Sequence, residues 1–97
     1  MVMRRSPARE RQLADLGENI ARWRKLQGMS ASQLAERAFV TRDTLRSIEN
    51  GAGSARMDSL LAVLSVLGIA NTVISSTDPW ASPAGRALMD EKIALTK

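Results

Sequence analysis

Thr41, Arg42, Asp43, Arg46 and Ser47 are the residues of this chain whose types and spacing suit chemistry, and the chemistry is recognition. If Leu45 and Ile48 face inward on a helix, a period of 3.6 residues turns Asp43, Arg46 and Ser47 outward and leaves Arg42 on the flank. Short polar and basic side chains at a helix start suit hydrogen bonding to base edges and phosphates. Taken alone, the same pattern also fits an ordinary solvated helix face. Catalysis is opposed by absences. The chain has no histidine and no cysteine. That removes the usual general base, the commonest metal ligand, every thiolate site and any disulfide. The G-A-G of Gly51–Gly53 lacks the spacing and the preceding strand of a phosphate loop. No apolar run approaches a membrane span, and no signal-peptide core opens the chain. The expectation is a binding protein of a reducing cytoplasm with no enzyme activity, no cofactor and no metal.

Charge supports a polyanionic partner. Among 97 residues there are 14 Lys and Arg against 10 Asp and Glu, a net charge of +4. The distribution is uneven: through Arg56 there are 11 basic and 6 acidic residues, and from Met57 onward 3 and 4. The basic part is the part that holds the recognition residues. A length of 97 residues also implies one small domain with a single modest core.

Two short helical patterns position these side chains. Leu34, Ala35 and Ala38 form the apolar face of one, and Leu45 and Ile48 that of the other. Ser30 suits an N-cap with Gln33 as its capping-box partner, Thr41 suits the next N-cap, and Gly51 suits a helix stop. Helices so short, joined by so few residues, cross steeply as a helix-turn-helix. Before them, Leu13, Leu16, Ile20, Trp23 and Leu26 give one stripe of a helix from about Arg9 to Gln27, with Trp23 in the core and Gly28 ending it. After them, a helix from about Arg56 to Leu67 is apolar nearly all round. That excess predicts a second buried face, either a dimer contact or a fold-back of the C-terminal segment. Ile69–Ser75 has β-branched strand character and would pair with its copy in a second subunit, placing Leu64, Leu67, Ile69, Thr72, Val73 and Ile74 at a dimer interface. The tail holds a turn at Asp78-Pro79-Trp80 and a helix from Ser82 or Pro83 to about Ile93, with Trp80 anchoring the tail or plugging a partner's pocket. At the other end, Met1–Arg11 reads as a basic arm leading into the first helix near Pro7. Arg4 and Arg5 would reach phosphates or a minor groove, unless the terminus merely solubilises.

Leu16 to Gly68 resembles the Cro/lambda-repressor type of helix-turn-helix, the XRE family. The matching stretches are L-G-E-N-I-A-R-W-R (Leu16–Arg24), L-A-E-R-A (Leu34–Ala38), T-R-D-T-L-R-S-I-E-N-G (Thr41–Gly51) and S-L-L-A-V-L-S-V-L-G (Ser59–Gly68). The resemblance implies a structural pair between Arg24 and Glu49. It implies base reading by Thr41, Arg42, Asp43 and Ser47 with Arg46 beside them, and phosphate contacts from Asn50, Ser54 and Arg56. Arg42 or Arg46 would take guanine; Asp43 would accept from cytosine, exclude wrong sequences or orient an arginine. Two positions depart from the family. Ala31 replaces a phosphate-contacting Gln, so Ser30 or Ser32 would substitute weakly. Phe39 stands where the tight turn usually has Gly, at a cost of about 1 kcal/mol or more that burial of its ring would recover. The strand followed by T-D-P-W-A-S-P-A-G-R-A-L resembles HipB-type antitoxins, autorepressors encoded with a HipA-type kinase toxin.

The expected architecture is an all-α, lambda-repressor-like bundle of four to five helices plus a short C-terminal strand. Residues 1–11 would be the arm and the start of the first helix, 12–68 the DNA-binding domain, and 69–97 the dimerisation and partner-binding segment. The expected function is that of a repressor, autoregulating with a HipA-like toxin, which binds a palindromic operator in the nucleoid as a homodimer. Half-sites would lie about 34 Å apart or a multiple of it. A stand-alone repressor without a toxin, or an interaction module of the same fold that binds no DNA, are the alternatives.

Overall fold

The computed structural model describes residues 5–96, and the predicted phosphate contact at Arg4 lies outside them. Six α-helices follow in order: α1 (Pro7–Leu26), α2 (Ala31–Arg37), α3 (Arg42–Glu49), α4 (Met57–Leu67), α5 (Ala70–Ser76) and α6 (Pro83–Thr96), with a 3-10 turn at Pro79–Ala81 before the last. Ser6 starts α1 by accepting the Arg9 amide on its hydroxyl, and Pro7, with no amide to satisfy, takes the first helical position. Ser30 and Gln33 close a full capping box on α2 at 3.1 and 2.8 Å. Thr41 accepts the Thr44 amide at 3.0 Å to start α3. Gly68 ends α4 in the left-handed conformation at φ 82°.

These helices enclose one core of Ile20, Met29, Leu34, Ala35, Ala38, Leu45, Ile48, Val63, Leu64 and Leu67. Gln27 closes the bundle by donating its side-chain amide to the Leu67 carbonyl at 2.8 Å, joining the ends of α1 and α4.

Four expectations are corrected here. The inward stripe of α1 is shifted by one position: Leu16 and Leu26 are exposed, and Trp23, expected in the core, is 44% exposed. The face that meets the bundle carries Leu13, Gly17, Ile20 and Arg24. A Cβ at Gly17 would strike the carbonyls of Ile48 and Glu49, so α1 and α3 touch backbone to backbone. Of the two readings of the all-round apolarity of α4 the fold-back holds, because α4 packs against α1, α2 and α3 and also against α5 of the C-terminal segment, leaving Met57 and Leu61 exposed. Leu64 and Leu67 are therefore core residues, 2% and 4% exposed, and cannot form a dimer interface.

The expected strand is α5. Ile69 and Ala70 pack on the core, Val73 donates its amide to Ile69, and the hydroxyls of Ser76 and Thr77 bond back to the carbonyls of Thr72 and Ile74. A lone strand leaves its backbone groups without partners, whereas one helical turn satisfies them locally, and this outweighs β-branched propensity. Ile69 is half-buried, while Thr72, Val73 and Ile74 are exposed on α5. In the tail, Ser82 caps α6 as expected, accepting the Gly85 amide at 3.0 Å, although the helix runs on to Thr96. Gly85 lies hard against Pro79, so α6 packs on the 3-10 turn that precedes it. Trp80 sits in that turn, half-exposed, with its amide donated to Asp78 at 3.0 Å.

Candidate nucleic-acid interface

Helix α3 is held from behind before anything is displayed in front. Arg24 of α1 makes a bidentate contact with Glu49 at the end of α3, Nε to Oε2 at 2.8 Å and Nη2 to Oε1 at 3.0 Å. Its remaining terminal nitrogen donates to the Met29 carbonyl ahead of α2 at 3.1 Å. The two side chains are 12% and 13% exposed, so the pair is largely withdrawn from water. The hydrogen bonding that Arg24 donates to Glu49 holds its guanidinium above its ordinary pKa, partly opposed by desolvation. One side chain thus fixes three segments, and the structural role expected of Arg24 and Glu49 matches this geometry.

With Leu45 and Ile48 buried, the other face of α3 is turned outward. Thr41, Arg42, Asp43, Arg46 and Asn50 are exposed and Ser47 is half-buried. Asp43 stands 3.9 Å from Arg46 one turn on, a loose contact between exposed groups that steers the arginine without immobilising it. Arg42 is exposed and has no carboxylate partner among the described residues. Arg42, Arg46 and Asn50 line an open depression with Ala31, so the start of α2 and the outer face of α3 share one surface. Ser30 and Ser32 are exposed at that same helix start, and the Ser30 hydroxyl is already engaged with Gln33.

The loop from α3 to α4 supplies the second part of the surface. Ser54 is exposed, and Arg56 donates to Asp58 at 2.9 Å, with both side chains well solvated. Arg5 reaches across from the N-terminal segment and donates to the Ala52 carbonyl at 2.6 Å. The arm residue expected to roam is thus pinned beside the loop. Gly51, at φ 72°, brings the loop backbone against Ala14 of α1, where a Cβ would come within 2.8 Å of the Ala14 Cα. The close approach that this glycine permits is to α1, so the loop is braced by the domain itself.

Phe39 adopts φ 56°, the left-handed conformation expected at the turn between α2 and α3. Its ring does not recover the cost by burial, however, because the residue is 96% exposed. The sequence reading also passed over Gly17. Its signal was an isolated glycine inside a strong helical pattern, which marks a close backbone approach.

The arrangement presents donors, hydroxyls and one steered arginine on a rigid convex helix, and among the described residues no three His, Cys, Asp or Glu side chains gather to hold a metal. No single described helix is long and apolar enough to cross a membrane. A family model described as helix-turn-helix matches residues 20–70, just over half of the chain. A search of curated proteins finds no match.

Proposed function

The chain belongs to the XRE-type helix-turn-helix family of DNA-binding regulators, and from that premise we propose that it is a sequence-specific repressor that binds a palindromic operator as a homodimer. The observation that carries this reading is the outward face of α3, where Arg42 has no carboxylate partner among the described residues and Arg46 is steered by Asp43, on a helix anchored from behind by Arg24. Thr41, Arg42, Asp43, Arg46 and Ser47 read bases in the major groove. Ser30, Ser32, Asn50, Ser54 and Arg56 hold phosphates, with Arg5 adding charge from the arm. Arg56 exchanges its exposed Asp58 partner for phosphate at little cost, since such surface pairs are weak.

One α3 reads only one half-site, and a palindrome asks for two copies. With Leu64 and Leu67 committed to the core, the exposed apolar residues of the C-terminal segment, Val73 and Ile74 on α5 and Leu88 and Leu95 on α6, are the ones this reading assigns to association. Autorepression in a toxin–antitoxin operon is the narrower form of the proposal, with a HipA-like kinase as the partner of the C-terminal segment. Its support is the tail's resemblance alone, and the strand that contributed to it is a helix.

The test is binding of the purified protein to its own upstream DNA and to a scrambled duplex across a salt series, beside the Arg42→Ala plus Arg46→Ala variant. Strong preference for the upstream DNA, a steep fall of affinity with salt and loss of preference in the variant are expected. Equal, weak binding of the wild type to both duplexes refutes operator recognition by this chain.

A further inference from the structure

The loop between α3 and α4 is secured at its two ends. Gly51 N–H donates to the Ile48 carbonyl at 3.1 Å and Ala52 N–H to the Ser47 carbonyl at 2.9 Å, while Ala55 packs half-buried on the core. The middle has no such hold. Gly53, Ser54 and Ala55 donate no main-chain hydrogen bond among the described residues, and Ala52, Gly53 and Ser54 are exposed. Gly53 also borders an apolar depression walled by Leu13, Ile48 and Leu60, so core side chains do not fill the space under this stretch.

One side chain reaches the middle of the loop from far away in sequence. Arg5 donates its Nη2 to the Ala52 carbonyl at 2.6 Å. Its guanidinium carbon and the Leu13 Cδ1 would lie 3.2 and 2.9 Å from a Cβ placed on Gly53, so the two side chains close on the glycine where a larger residue would push them off. The backbone behind Arg5 is itself fixed, because the next residue, Ser6, caps the 20-residue α1. An arginine serving only as a source of charge gains nothing by turning to a main-chain carbonyl of its own domain. The stretch that Arg5 holds leads directly into Ser54 and Arg56, and contacts to phosphate set register on a duplex only if the backbone presenting them keeps one shape. Resting on the operator-binding reading above, we infer that Arg5 is a positioning residue: by holding Ala52 and Gly53 it fixes the shape in which the loop offers Ser54 and Arg56 to the DNA backbone.

The experiment uses the full chain with Arg5→Met and Arg5→Lys, each made also in a background of Ser54→Ala plus Arg56→Met, where the two loop contacts are gone. Amide relaxation without DNA reads the order of residues 52–54, and a salt series with the upstream and scrambled duplexes reads affinity. In Arg5→Met the order parameters of Gly53 and Ser54 fall from about 0.85 toward about 0.6. The thermal midpoint moves by no more than about 4 °C, since the contact is exposed. Affinity for the upstream duplex falls about fivefold in the otherwise wild-type chain and less than about twofold in the background. Arg5→Lys restores part of both readouts, because an ammonium still donates to a carbonyl. Order parameters that Arg5→Met leaves unchanged overturn this inference alone. Equal losses of affinity in both backgrounds, with a salt slope lower by about 0.9 in each, also overturn it and give Arg5 a phosphate of its own. A wild type that does not prefer its upstream DNA overturns the operator reading, and this inference with it.

Discussion

Removing the Arg24 guanidinium should cost far more than removing the whole ion pair. In Arg24→Met the two hydrogen bonds to Glu49 and the one to the Met29 carbonyl disappear together, and Glu49 keeps its charge at 13% exposure with no cation beside it. Bonds to charged groups are worth about 1.5–3 kcal/mol each, and a buried pair broken from one side costs about 3–5 kcal/mol. Since a little water reaches this pair, about 3 kcal/mol is the expected loss. Against a total of about 5–15 kcal/mol for a domain, that removes a large share of the stability. It should lower the melting midpoint by roughly 12–24 °C. Arg24→Met with Glu49→Leu replaces both charges by apolar groups of similar reach and should recover most of the loss, because the desolvation cost goes with the charges. Urea unfolding of the four proteins gives the coupling as a double-mutant cycle, expected at about 2–3 kcal/mol. A coupling below about 0.5 kcal/mol would mean that the two residues act independently. The claim that this pair anchors the recognition helix would then be wrong.

Three further outcomes follow from contacts described above. Gly17→Ala places a methyl against the Ile48 and Glu49 carbonyls and should destabilise by about 2–3 kcal/mol, visible as a lower urea midpoint. Gly28→Ala meets open space and should lose only about 1 kcal/mol for its φ of 73°. Leu88→Glu with Leu95→Glu should leave the thermal midpoint nearly unchanged while shifting the protein toward monomer in sedimentation. A mass distribution identical to the wild type's removes α6 from the proposed association surface.

The helix-turn-helix was legible because its signals are local. Ser30 with Gln33, Thr41 with Thr44 and the glycine after Asn50 are satisfied within a turn of chain, and each formed as expected. What sequence periodicity misjudged depends on partners distant in sequence. An apolar stripe was sought on α1, yet its inward face carries a glycine and an arginine, because there the contact is a backbone touch and an ion pair. In the same way, Leu64 and Leu67 gave no sign of which neighbours cover them, and the surplus apolarity on α4 that resembled an interface is mostly taken up by four packed helices, with Met57 and Leu61 left exposed. Residues 70–76 carry a strand's composition, and only the absence of an edge to pair with turns them helical. The outward side chains of α3 were readable from the period alone, since Leu45 and Ile48 leave them one direction to point.

The seating of Gly85 on Pro79 makes the end of the chain a small cooperative unit of its own. The core gathers no residue beyond Ala70, so opening α6 uncovers nothing that holds the domain together. The chain therefore has two lifetimes. A protease that clips residues 77–82 would end the working life of the tail while the DNA-binding domain remained folded. What survived would keep α3 and the Val73 and Ile74 side of α5 but lose the α6 part of the surface proposed to recruit a second copy.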